Sequence, residues 1–329
     1  MHFDNCGYYK ATYVNSNNQN FYYVVKVLSK SAYKNRIRYS NEIYALCKFN
    51  HPNIAKIYGH FEDKLFYFLV HQTWSHSLLT FLRNKGNSDR QVLKFLFEQI
   101  TAAIAYCHSL GFVHCNINLN TIVIDDYSKV FLIGFDYSEL LSTFVQDNEI
   151  TTPLEFTPPE MLMDINRKPT FSMDIYSLGV LFFYILVKQF PWPEKRRKRY
   201  KWIQNGRYLI PTNTEPAISF IIRNMIVVNP AARKNIDEVM EYFSNYFSQF
   251  DSEPPQKVQE IVSFPSLSPK SMLLPPLNHF SDGQFHRKTT KDCTNFKRKK
   301  SFIKPFKSNP ILCEPFVQPT VKLVNSEFL

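Results

Sequence analysis

The stretch from Phe112 to Asp136, FVHCNINLNTIVIDDYSKVFLIGFD, constrains the fold more than any other part of the chain. Its pattern gives a strand, a polar loop around His114, a hairpin, and a strand that ends in a second turn at Gly134. Two turns of this kind on adjacent strands bring their polar side chains to one place. Such a unit needs a helical body beneath it and a second layer above it to bury its apolar residues. The rest of the sequence supplies both.

Ahead of it, residues 8 to 30 form a hairpin pattern: YYKATYV, a polar NSNNQN reversal, then FYYVVKVL. Tyr, Val and Phe favour a pleated surface, and Asn suits the turn. A helix is expected over 35 to 48, with Tyr39, Ile43, Leu46 and Cys47 on its inward face. His51-Pro52-Asn53-Ile54 ends it, because a residue before proline avoids the helical region. Two more strands, AKIYGHF and LFYFLV, meet across Glu62-Asp63-Lys64. After about residue 76 the period changes: Leu96, Ile100, Ala103, Ile104 and Cys107 recur at three and four residues and stop near Gly111. Asp174 to Val187 is apolar nearly all round and reads as a buried helix. Helices are also expected over 218 to 228 and 236 to 247.

Beyond Phe250 no period persists, and ten of the 20 prolines fall between 254 and 319. A segment so rich in Pro, Ser and Lys is expected to be a disordered basic tail, giving a domain over 1–248 and a tail over 249–329. The longest apolar run, Leu178 to Val187, is about half a membrane span, and no apolar leader opens the sequence, so a soluble protein is expected. Six dispersed cysteines without a C-x-x-C pair argue against a zinc site or disulfide framework and suit a reducing compartment, cytoplasmic or nuclear. The net charge of +11 leaves two readings, a solvated basic surface or a site for an acidic partner.

Several short motifs then fall in one order. They are Tyr23-Val24-Val25-Lys26, Glu42, His51-Pro52-Asn53, His114-Cys115-Asn116, Gly134-Phe135-Asp136, Pro158-Pro159-Glu160-Met161, Asp174-Ile175-Tyr176-Ser177-Leu178-Gly179, and Arg233 after Asn229-Pro230. In this order and spacing the chain, over residues 1 to 248, resembles the eukaryotic serine/threonine protein kinases, and the P-P-E-M form resembles the Aurora kinases. The resemblance implies an α+β, two-lobed fold, with a small β-rich lobe, a helical lobe and a disordered tail. It also implies that Lys26 holds ATP phosphates and pairs with Glu42, and that Glu160 pairs with Arg233. On the residues alone, Lys26 and Glu42 are equally well a simple ion pair between strand and helix.

The same positions depart from what phosphoryl transfer needs. Asn116 stands where the resemblance implies an Asp that takes the substrate proton, and an amide takes up no proton at neutral pH. Asn118 replaces a cation, and Thr121 replaces an amide oxygen for a second Mg²⁺. Gly134 and Asp136 read as a D-F-G turn with its ends exchanged, so the metal-binding carboxylate is displaced by two residues, up to about 7 Å in an extended chain. The phosphate loop, counted back from Lys26, has Asp4, Cys6 and Tyr9 at glycine positions, with Gly7 one residue out of register. Val24 replaces a small residue at the adenine slot. Cys115 replaces an Arg that reads phosphate, His114 is expected in the core, and Phe135 is expected to pack.

The expected function is an inactive kinase fold, a pseudokinase, that binds or scaffolds a partner protein. The alternative is a divergent active kinase in which Asp136 is recruited to Mg²⁺ and Lys26 with Glu42 holds ATP. Two basic runs remain. Glu194–Lys201 (EKRRKRYK) is expected as a loop that is either a solvated charge run or a docking surface, and Lys297–Lys300 resembles a nuclear localisation signal. Nucleic-acid binding through these runs is disfavoured, since they lie in separate regions and lack aromatic interleaving.

Overall fold

The computed structural model describes residues 6–14, 18–84, 89–140, 152–164, 167–209, 211, 215–250 and 322–324. In chain order the strands and helices of the first lobe are β1 Cys6–Val14, β2 Asn20–Ser29, α1 Lys34–Lys48, β3 Ile57–Glu62 and β4 Phe66–His71. Then come β5 His76–Ser77, α2 Leu78–Asn84, α3 Arg90–Ser109, β6 Phe112–Val113, β7 Ile122–Ile124, β8 Val130–Leu132 and β9 Glu139–Leu140. The helical lobe continues through α4 Pro159–Met163, α5 Phe171–Val187, α6 Arg196–Gln204, α7 Pro216–Asn224 and α8 Ile236–Ser248. A last strand, β10 Lys322–Val324, follows.

The first lobe is an antiparallel sheet in the order β10-β1-β2-β4-β3. Alternation along the strands gives it two faces. Ala11, Val25, Phe61, Phe68 and Val70 make an outer cluster, with Phe61 stacked on Phe68 at 4.6 Å between ring centroids. Val24, Lys26 and Leu28 of β2 share the opposite face with Leu69 and His71 of β4, since Val24 pairs with His71 and Lys26 with Leu69. That face looks onto α1 and the second lobe.

The second lobe is helical around α3 and α5. Phe97 of α3 stacks on Phe182 of α5 at 3.7 Å and meets Phe243 of α8 edge-on at 4.6 Å. α5 is buried continuously from Met173 to Phe183, as its all-round apolar sequence requires. Gly179 lets the chain after α7 approach closely, for a Cβ there would sit 2.7 Å from Met225 Cβ. Two small sheets roof this lobe, β5-β7-β8 and the β6-β9 pair, and an isolated parallel bridge from Ile54 to Leu132 ties the lobes together.

The two-lobed α+β architecture is therefore the one expected, with four local differences. The inward stripe of α1 is Asn35, Arg38, Glu42, Ala45 and Leu46, while Tyr39 and Ile43 are half-buried and Cys47 is exposed. The helix faces a charged cleft, so polar residues point inward and hydrophobic periodicity misplaces the stripe. EKRRKRYK is mostly helix α6 rather than a loop, anchored by the buried Ile203 and by Arg199, which is ion-paired with Glu155. α7 ends at Asn224 instead of running to 228, because Met225 and Ile226 turn inward under α5. Finally, residues 322–324, expected to lack structure, form an edge strand on β1. Of the expected tail 249–329, residues 251–321 and 325–329, with the Lys297–Lys300 run, lie outside the described residues.

Candidate functional site

Between the lobes lies a cavity of about 300 Å³. Its roof is Tyr8, Tyr9 and Lys10 of β1 with Val24 and Lys26 of β2, and its floor includes Val123 and Ile133. Asn116, Asn118 and Thr121 line its polar end with Gly134 and Asp136. Of the expected site residues, Val24, Lys26, Asn116 and Asp136 thus converge on the cavity, and Glu42 is buried behind Lys26 without lining it. Gly7 is a strand residue of β1 and lines nothing, so the expected glycine loop over phosphates is a strand here: Cys6 and Tyr9 belong to β1, and Asp4 lies outside the described residues.

The charge centre is Lys26, whose side chain is 2 % exposed. Its Nζ donates to Glu42 Oε2 at 2.6 Å and contacts Asp136 Oδ1 at 3.1 Å. Burial pushes the Glu42 carboxyl up to about 7, with Lys26 pulling it down and Asp136 adding to the rise. One ammonium between two buried carboxylates leaves a net negative cluster, which explains why burial wins at Glu42.

Asp136 reaches Lys26 because the turn is built differently from an extended run. Gly134 has a left-handed φ of +82°, and Phe135–Tyr137 close a 3-10 turn that brings the carboxylate back under β2. Phe135 is fully buried against Phe49 and His114. A Cβ at position 134 would lie 2.9 Å from Thr121 Cγ2.

The polar loop is satisfied within itself. Asn118 Nδ2 donates to Asn116 O at 2.9 Å and to Asn116 Oδ1 at 3.0 Å. Thr121 Oγ1 donates to Asn116 O at 2.9 Å and accepts from Asn118 N at 3.0 Å. The positions that face a substrate hydroxyl and a second metal in the resemblance are therefore amides and a hydroxyl bonded to one another. His114 is buried with Nε2 against Ile133 O at 3.0 Å, and burial lowers its pKa. Cys115 sits at φ +63°, held by its N–H donating to Asp174 Oδ1 and by its carbonyl accepting from Thr152.

Sequence reasoning missed the roof. Tyr8 pairs in register with Lys26, and the ammonium lies 5.5 Å from its ring centroid. Tyr8 also meets Trp74 edge-on at 5.5 Å, and both pack over Val123 and Ile133. His71 completes this aromatic wall, fully buried with neither ring nitrogen hydrogen-bonded. Burial, then the Lys26 charge, lowers its pKa to about 3, so it is neutral. Counting by twos from Lys26 along the paired strands would have found His71, Tyr8 and Lys10.

The donor set does not suit Mg²⁺. The ion prefers free carboxylate and phosphate oxygens in octahedral geometry. Here position 134 has no side chain, position 116 is an amide, the Thr121 hydroxyl is bonded, and the Asp136 carboxylate is held by Lys26.

Residues 7–244 match the protein kinase domain model. Among curated proteins, the carbon catabolite-derepressing protein kinases of Candida glabrata and Saccharomyces cerevisiae are each 27% identical over 221 residues, 66% of this chain and 35% and 34% of theirs. The Aurora/IPL1-related protein kinase 2 of Caenorhabditis elegans is 25% identical over 252 residues, 74% of this chain and 81% of its own length. The match spans about a third of the length of the yeast relatives.

Proposed function

The chain belongs to the eukaryotic protein kinase family, and from that premise we propose that it is a pseudokinase, a kinase fold used to bind a partner protein rather than to transfer phosphate. The observation that carries this reading is the state of Lys26. In a working site this lysine holds nucleotide phosphates while a separate carboxylate holds the metal. Here the only carboxylate of the 134–136 turn, Asp136, sits on Lys26 itself.

The acceptor end supports the same reading. Asn116 can orient a hydroxyl but cannot take its proton, a loss worth roughly 10²–10⁴ in rate. Its side-chain oxygen is already bonded to Asn118. Tyr8, beside Trp74, stands over the floor residues Val123 and Ile133, where a flat base would lie. The surface offered to a partner includes Lys195 and the Arg196, Arg197, Lys198 and Lys201 of α6, all exposed, so an acidic protein segment is the chemistry it favours.

Thermal denaturation of the full chain with millimolar ATP, with and without Mg²⁺, tests the reading. The expected midpoint is the same whether or not metal is present. A rise that requires Mg²⁺ and disappears in Asp136→Ala would replace this reading with that of a divergent active kinase.

A further inference from the structure

The edge strand β10 carries a consequence outside the cleft chemistry. Lys322–Val324 pair antiparallel with Lys10–Thr12, in the register Lys10↔Val324, Ala11↔Leu323 and Thr12↔Lys322. Their other side needs no argument: β1 pairs along its whole length with β2. Among the described residues β10 is the outermost strand of the sheet, so it covers the row of backbone groups that β1 would otherwise present at an edge.

Two further observations make this pairing specific. The sequence around it, Pro319-Thr320-Val321-Lys322-Leu323-Val324-Asn325, is a short run of strand-favouring residues bounded by Pro and Asn, set within a region otherwise rich in Pro, Ser and Lys. The register also places Leu323 opposite Ala11, the β1 residue that belongs to the outer apolar cluster with Val25, Phe61, Phe68 and Val70. A slip by one residue would put Lys322 or Val324 there and Leu323 opposite Lys10 or Thr12, neither of which belongs to that cluster.

β1 is the strand that carries Tyr8 and Lys10 into the cavity roof. We propose that the outer edge of β1 is a docking groove for an extended strand, that its occupant is this chain's own C-terminal segment 322–324, and that this segment acts as a latch fixing the roof over the cleft. The tether matters: because the strand belongs to the same chain, the latch closes at any protein concentration. Whatever draws the C-terminal segment away frees the β1 edge and loosens Tyr8 over Lys26. The latch does not depend on whether the cleft transfers phosphate.

Hydrogen exchange on the full chain tests it, comparing wild type with Leu323→Pro, which removes a backbone N–H and bars strand geometry at the centre of β10. The expected result is exchange at least about tenfold faster in the amides of Tyr8–Tyr13, with α5 and α8 unchanged. A synthetic peptide of residues 319–329 added to the variant is expected to restore the protection. Unchanged exchange in β1 would overturn the proposal. So would acceleration spread equally through α5 and α8, since β10 would then belong to the general core rather than act as a latch. Failure of the peptide to restore protection would overturn the docking groove.

Discussion

The two ionic centres of the molecule are built from similar parts and do different work. Beneath the helical lobe, Arg233 grips Glu160 with two bonds of 2.7 Å and also donates to the carbonyls of Val227 and Ser172. Nearby, Asp174 accepts from the His114 and Cys115 amides and faces His108 at 2.9 Å. Arg233 and Glu160 match each other, and both oxygens of Asp174 are hydrogen-bonded. In the cleft, one ammonium serves two carboxylates, and an imidazole lies buried with both ring nitrogens unbonded. The first centre holds elements together in the way any chain of this fold requires. The second gathers the residue types of a reactive site around a single ammonium shared by two carboxylates.

The sharpest way to break the comparison is at the matched centre. Arg233→Met leaves Glu160 buried and uncompensated, and should cost about 3–5 kcal/mol in urea denaturation. A loss near zero would mean that the helical lobe does not rely on this pair. Lys26→Met should cost less, about 2–3 kcal/mol, because it strands Glu42 and Asp136 but Glu42 already tends toward its neutral form. Removing the carboxylates as well, in Lys26→Met with Glu42→Leu and Asp136→Leu, should recover most of that loss. If Lys26→Met is instead neutral in stability, its contacts are not what holds the cleft.

The pH dependence separates the two groups that the cleft perturbs. His71 has a folded pKa near 3 against an ordinary value of 6.5, so the unfolded chain binds its proton first and stability falls as pH drops below 6.5. Glu42, raised from 4.5 to about 7, works in the opposite sense, since stability is present below about 4.5 and is lost as pH rises toward 7. His71→Phe should therefore spare about 2 kcal/mol of the loss between pH 7 and 4.5, read from denaturation midpoints at the two values. Glu42→Gln should flatten the opposing trend over the same range. The smallest effect belongs outside both centres. Replacing Arg196 and Arg197 by Glu should leave stability within about 0.5 kcal/mol while weakening any acidic partner in a salt-dependent way.

Much of the fold was legible because long apolar periods and their stops are local signals. α3, whose apolar period stops before the left-handed Gly111, is one case, and α8 is another. The Lys26–Glu42 and Glu160–Arg233 pairs were legible only through the family resemblance, and both are present. The roof was not, since Tyr8 and Lys10 reach the cavity through cross-strand register, which no local window contains. α6 was hidden because its sequence offers few apolar residues at helical spacing, and tertiary contacts of Ile203 and Arg199 hold it. A strand of three residues pairing across more than three hundred positions leaves almost no signal of its own. The bend that carries Asp136 to Lys26 depends on a single left-handed glycine, and an extended reading of the same residues points the carboxylate elsewhere.

That glycine also bears on how easily the site could change its trade. With the Thr121 methyl 2.9 Å from where a side chain at 134 would begin, an acid cannot return to that position by one substitution without displacing its neighbour. Thr121 would have to change first or at the same time, and Asp136 would then compete for Lys26 until it too was replaced. A carboxylate at position 134 is thus a paired change, one substitution in the turn and one in the neighbouring loop.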